Sequence, residues 1–308
     1  MTIRKITIED EAYPRNLRNI YSPPKALYVN GVLTEQDDVA VAVVGSRRAT
    51  QYGLEMSEKL GYELANRGIT VVSGMAKGID SAAHRGALKA GGRTIAVLGS
   101  GHGHIYPPEN EKLYYEIAKK GAVVTEYEED MEPFPYNFPQ RNRIISGLSL
   151  GVVVVEAARN SGALITADFA AEQGRTVFAV PGKISSMTSS GANELIKDGA
   201  RLVQSIDDIT EELSISEIKP ANGEKKISIE KKIVGKTKAY IYNSLTDDER
   251  KIYKTLSDDP VFIDDILDRT GLTSAKASEV LLKLELMSLV KEMAGKRFVR
   301  REAEENNG

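Results

Sequence analysis

The chain has 308 residues, no cysteine and a formal charge of −3, and 41% of its residues are hydrophobic. These figures fit one large or two moderate globular domains and argue against a disordered chain, a fibre, disulfides and thiolate metal sites. No apolar run reaches membrane-spanning length and no leader-like segment opens the chain, so a cytoplasmic protein without a membrane partner is expected; any nucleic-acid ligand must be held by a local basic patch.

Residues 1–38 contain Pro14, Pro23 and Pro24 without sustained periodicity and read as an irregular arm packed on the next domain, with a short strand at Leu27, Tyr28 and Val29. Across residues 39–213 the pattern becomes apolar strand, Gly-containing turn and amphipathic helix, repeated. That is the signature of a parallel α/β sheet. Strands are expected at 39–44, 69–73, 94–98, 122–125, 151–155 and 176–180, with a shorter one at 200–203. Helices are expected to begin near Tyr52, Gly78, Glu109, Gln140, Ala163 and Ser190. Right-handed crossovers would lay them on both faces, a doubly wound, Rossmann-like layout. Residues 214–243 are polar and Lys-rich and read as a linker, either solvated or tracking a nucleic-acid backbone. In residues 244–302, Thr246 and Glu249 match a capping box, and Ile252, Tyr253 and Leu256 form an apolar stripe. Gly271 separates a second helix from a third capped by Thr273, and the end alternates about Gly295 as a hairpin, which together make a C-terminal winged-helix domain.

In such sheets ligands bind beyond the carboxyl ends of the strands. Here those ends carry Ser46-Arg47, Ser73-Gly74, Lys77-Gly78, Ser161-Gly162 and Lys183. Gly permits close backbone approach, and amides at helix starts favour anions, so their recurrence on one edge predicts an anion-binding rim. The stretch 138–157, FPQRNRIISGLSLGVVVVEA, sets a basic loop against a buried strand. Pro139 is expected to keep Phe138 extended, with Arg141, Asn142 and Arg143 opening a short helix.

No G-x-G-x-x-G follows the first strand, Ser73 stands where a ribose-binding acid belongs, and no P-loop occurs, so no nucleotide cofactor is expected. His84, His102 and His104 lack a ligand framework, so no metal site is assigned, and His84 is expected to be structural. Glu126 reads as part of a solvated acidic loop and Glu156 as the partner of a nearby guanidinium. No nucleophile, base and orienter stand together, so no catalytic residue is assigned.

The segments VVGSRRATQYG, VVSGMAKGIDSAAHRGAL, GRTIAVLGSG with YPPEN, FPQRNRIISGLS with VVVVEA, SGALITADFAAEQGRTVFAVPG and GANELIKDGA closely resemble the DprA/Smf DNA-processing family. The resemblance implies an extended Rossmann-like domain that binds single-stranded DNA in a basic pocket, dimerises, loads the RecA recombinase during natural transformation and has no settled catalytic activity. Carried onto this chain, it places Ser46, Arg47, Arg141, Arg143, Ser161, Gly162 and Lys183 in the pocket. With Ser73, Gly74 and Asn142 from the rim, and Phe138 as either a base-stacking platform or a core anchor, these form the expected DNA-binding set. The arm is too short for the helical domain that precedes the Rossmann-like one in many members. The alternative is a phosphoribohydrolase-like hydrolase with Glu156 or Asp168 as base, although the P-G-G-x-G-T-x-x-E motif of that group is missing. In the winged helix, Lys276 on the third helix and Lys296, Arg297, Arg300 and Arg301 on the wing leave auxiliary DNA contact and protein contact both open.

Overall fold

The computed structural model describes residues 3–215, 245–256, 260–286, 289–293 and 295–300. The chain divides into two units, Met1–Ile227 and Ser228–Gly308. Nearly all of the Lys-rich linker, and Arg301 of the wing, lie outside the described residues.

In chain order the first unit contains β1 (Arg4–Thr7), α1 (Arg15–Arg18), β2 (Ala26–Gly31), β3 (Ala40–Val44), α2 (Gln51–Asn66), β4 (Thr70–Ser73) and α3 (Ile79–Lys89). There follow β5 (Thr94–Val97), α4 (Glu111–Lys120), β6 (Ala122–Thr125), α5 (Asn137–Gly147), β7 (Gly151–Val154) and α6 (Gly162–Glu172). It closes with β8 (Thr176–Ala179), α7 (Ser190–Lys197), β9 (Arg201–Leu202) and α8 (Ile206–Glu212). Nine strands share one sheet in the order β1-β2-β6-β5-β4-β3-β7-β8-β9, and every pairing from β6 through β9 is parallel.

The alternation within β3 shows why the sheet is covered twice. Val41 and Val43 pack with Leu60, Leu64 and Ile79 of α2 and α3, whereas Ala40, Ala42 and Val44 belong to the opposite core with Ile144, Ile145 and Ala163. A strand buried on both faces needs an unbroken apolar run, as the central strands have. The chain winds outward from β3 through β4 and β5 to β6, then returns to place β7 beside β3. The switch point therefore lies between the carboxyl ends of β3 and β7.

Two local expectations are corrected. The arm is not irregular: β1 pairs antiparallel with β2 from Arg4 opposite Val29 to Thr7 opposite Ala26, and β2 pairs antiparallel with β6. Leu17 of α1 is fully buried and packs where a side chain on Gly147 would otherwise sit, its Cδ1 only 2.7 Å from that Cβ position. Phe138 is helical rather than extended, since α5 starts at Asn137. Pro139 falls in its first turn, where the missing N–H removes no helical hydrogen bond.

His84 is structural, as expected. It is fully buried on α3 with Nδ1 2.6 Å from Thr94 Oγ1, and burial pushes its pKa down to about 3. A histidine with a depressed folded-state pKa contributes stability above its unfolded value that is lost as pH falls toward the folded one. The unfolding free energy measured between pH 6.5 and pH 5 should therefore fall by about 1 kcal/mol per pH unit from this group. The window lies above most carboxylate titrations, and His84→Gln should flatten the slope; equal slopes in both proteins would refute the assignment.

The second unit contains α9 (Asp247–Thr255), β10 (Val261–Phe262), α10 (Ile263–Thr270), α11 (Ser274–Leu286), β11 (Val290–Met293) and β12 (Arg297–Arg300), with strand order β10-β12-β11. The capping box of Thr246 and Glu249 starts α9, and Gly271 ends α10 at φ 67°. Ile252, Ile266, Val280, Leu281, Leu284 and Phe298 fill its core. Three helices and a hairpin thus form the winged helix. No helix among the described residues is long and apolar enough to cross a membrane.

Candidate nucleic-acid interface

A cleft of about 650 Å³ opens at the β3/β7 switch point. Its walls come from the turn after β3 (Ser46, Arg47, Arg48), the inner face of α5 (Phe138, Arg141, Asn142), the start of α6 (Ser161, Gly162) and Pro133 and Pro135 of the loop before α5. A pit of about 60 Å³ adjoins it, lined by Arg47, Gly74, Lys77, Tyr106, Phe138 and Arg141.

Each wall is held by identifiable contacts. Ser46 N donates to Glu156 O at 2.7 Å, and Ser46 Oγ accepts from Arg48 N at 3.1 Å, which fixes the turn and presents both arginine side chains outward. Both are exposed, and among the described residues neither is paired with a carboxylate. Ser161 caps α6, accepting from Ala163 N at 3.3 Å, while Asn142 Nδ2 donates to Gly162 O at 3.1 Å and ties α5 to that helix start. The amides at the start of α6 and the positive end of its dipole thus face the cleft.

Arg141 is part of the floor rather than a projecting cation. Only 3% exposed, it donates through Nη1 to Gly74 O at 2.7 Å and to Val97 O at 2.6 Å. Gly74 is required here because a Cβ would lie 2.1 Å from Arg141 Nη1. Burial pushes Arg141 down to about 10, against the opposing pull of Asp80, so it stays charged at neutral pH. Asp80 is also buried and accepts from Gly74 N at 3.2 Å and Ala76 N at 3.4 Å. Burial holds its carboxyl above the usual range although Arg141 acts to lower it.

Phe138 is half-buried, so its ring both packs inward and keeps part of its face open to the cleft. Its ring packs on Gly99, where a Cβ would lie 2.8 Å from Cδ1, and meets Tyr106 at 5.4 Å between centroids. Arg47 Cζ and Arg141 Cζ stand 5.3 and 5.8 Å from the ring centroid. Tyr106, 41% exposed, joins this aromatic and cationic cluster without having been singled out from sequence; the YPPEN segment was its only signal.

Three of the expected residues lie elsewhere. Ser73 is fully buried, its hydroxyl donating to Val43 O at 2.7 Å and bracing β4 against β3. Arg143 leaves the cleft because residues two apart on a helix point to different sides. It pairs with Glu126, both side chains being 17% exposed, and Gln173 Nε2 donates to its carbonyl at 3.1 Å. Glu126 is therefore the part-buried partner of Arg143 and not a solvated loop residue. Lys183 is exposed beyond β8 and does not line the cleft.

The carboxylates considered as bases are likewise placed. Among the described residues Glu156 pairs with no guanidinium: it is 2% exposed and accepts from Thr50 N at 2.9 Å and Thr50 Oγ1 at 2.6 Å, bracing the start of α2. Asp168 is exposed on α6 outside the cleft lining. His102 lies between Tyr114 and the Tyr28 carbonyl, its Nδ1 2.8 Å from the Tyr114 hydroxyl and its Nε2 2.9 Å from Tyr28 O. No group of three or more His, Cys, Asp or Glu is arranged to hold a metal among the described residues.

Fold and site together define a Rossmann-like protein with a cationic, aromatic-floored cleft at the switch point, joined in one chain to a winged helix. The chain belongs to the family described as DNA recombination-mediator protein A, which it matches over residues 4–214, with a DprA winged helix domain over residues 239–296. It is a DNA-processing recombination mediator by that membership. It is 36% identical to Protein Smf of Synechocystis over 317 aligned residues, covering 96% of this chain and 80% of that protein. The X-ray structure of DprA from Streptococcus pneumoniae is similar, with a TM-score of 0.66 and 44% identity over 69% of this chain and 75% of that one. A structure of DNA processing protein A from Helicobacter pylori, concerned with its single-stranded DNA binding mode, gives a TM-score of 0.61 and 33% identity over 68% and 96%.

Proposed function

We propose that the cleft binds single-stranded DNA without sequence preference, and that the chain acts as a noncatalytic mediator. In this reading it works as a homodimer, protects incoming strands and delivers them to the RecA recombinase during natural transformation. The observation that carries the binding step is Arg47, unpaired with any carboxylate among the described residues, over a half-exposed Phe138, in a cleft that Arg48 and the start of α6 also line. Guanidiniums and helix-start amides suit phosphate oxygens, while an aromatic ring stacks on any base. The DNA-binding set is narrowed accordingly to Ser46, Arg47, Phe138, Asn142, Ser161 and Gly162 as cleft-facing residues, with Arg141 and Gly74 as their floor.

A mixed-sequence labelled oligonucleotide titrated at several salt concentrations tests the proposal. Arg47→Ala should weaken all sequences alike and reduce the salt slope by about 0.7, the value for one single-strand phosphate contact. A wild-type protein that ignores the oligonucleotide, or a variant that loses affinity for selected sequences only, would refute it. In the winged helix, Lys276 pairs with Glu279 at 3.0 Å, and Lys283 pairs with the buried Glu249.

A further inference from the structure

We infer that Lys77 is an additional cation of the strand-binding track, held in check by Glu109, so that the chain carries its own competitor for DNA phosphate at the cleft rim. The inference rests on the proposed binding of single-stranded DNA.

Lys77 lies between β4 and α3 and lines the pit that it shares with Arg47, Tyr106 and Phe138. Its ammonium forms an ion pair with Glu109, and the two side chains are 57% and 63% exposed. Hydrogen bonding from Lys77 is the main cause holding the Glu109 carboxyl below its ordinary value. Glu109 sits on the single turn Pro108–Asn110, and the next residue, Asn110, is buried and locks that turn to the Lys77 loop. Asn110 Nδ2 donates to Met75 O at 2.7 Å and to Ser81 Oγ at 2.8 Å. The pair is therefore set by anchored backbone on both sides, although its charged ends remain in water.

An exposed ion pair contributes little net stability and is screened by salt, so a phosphate can replace its carboxylate at small cost. Glu109 then acts twice against a bound strand, because it neutralises Lys77 and repels the phosphate that would take its place. Arg47, by contrast, meets the same pit unpaired with any carboxylate among the described residues. The rim thus combines an open cation with a latched one, and strand binding requires the second to exchange partners.

Titration of a fluorescein-labelled oligo-dT with the full chain tests the latch. Glu109→Gln should bind about fivefold more tightly at low salt, with a salt slope steeper by about 0.7. The gain should vanish in the Lys77→Ala, Glu109→Gln double variant, and should be absent from Glu172→Gln, which removes an exposed acid elsewhere. Both latch side chains are largely exposed, so the folded state is unaffected by either change. Unchanged affinity in Glu109→Gln beside a binding wild type overturns the latch alone, as does a gain that persists without Lys77. A wild type that does not retain the oligonucleotide overturns the latch and the underlying reading together.

Discussion

Arg141→Ala should lower the unfolding free energy by about 2–5 kcal/mol, because it strands two buried backbone acceptors and removes a cation whose charge acts on the buried Asp80 carboxyl. The guanidinium satisfies the Gly74 and Val97 carbonyls and lies beside the buried carboxyl of Asp80. Its removal leaves two acceptors without their donor and a carboxylate without its cation. Urea unfolding at neutral pH measures the loss, and a value under about 1 kcal/mol would contradict the buried role.

The pH dependence of the variant supplies a second, independent reading. A carboxyl whose folded-state pKa is raised, as that of Asp80 is, contributes stability below its unfolded pKa and loses it as pH rises through the folded value. Protonated Asp80 needs no cation, so the deficit of Arg141→Ala should shrink as the pH falls. Replacing both partners, as Arg141→Met with Asp80→Asn, should recover part of the loss because no unpaired charge then remains buried. Loss of DNA binding by Arg141→Ala alone is therefore poor support for a phosphate contact.

Phe138→Ala should weaken single-stranded DNA binding by about 1–3 kcal/mol, roughly fivefold to 150-fold, equally for all sequences. Fluorescence anisotropy with mixed and homopolymeric oligonucleotides measures it, and Phe138→Tyr should retain most of the affinity. The ring also fills the space over Gly99 and contacts Tyr106, so some stability is lost with it. Affinity must therefore be compared at a temperature where unfolding curves show both proteins folded. Equal affinities there would make Phe138 a core anchor only and leave the arginines to hold the strand unaided.

Much of this architecture is legible before any coordinates. The central strands are unbroken β-branched or alanine-rich runs, and the turns after them carry Ser46-Arg47 and Ser161-Gly162 to one edge. These features are local, set by side-chain period and turn chemistry, and they hold in the folded chain with boundaries shifted by a residue or so. The winged helix is legible for the same reason, since its capping box, Gly271 and hairpin are each decided by neighbours in sequence.

Direction and partnership are not local. Starting α5 at Asn137 instead of Arg141 places the RNR residues in mid-helix, where a rotation of about 100° per residue sends Arg141 to the cleft floor and Arg143 to Glu126. Glu156 answers to Thr50, 106 residues away, and Asn110 to Met75 and Ser81. β1 exists because Arg4 to Thr7 find a partner in β2, a pairing that no period within four residues announces. Local pattern therefore determined the central strands and helices and the edge they expose, but not the strand added by the arm. Only the packed sheet decided which charges meet, because burial and pairing depend on segments that are distant in the chain and adjacent in space.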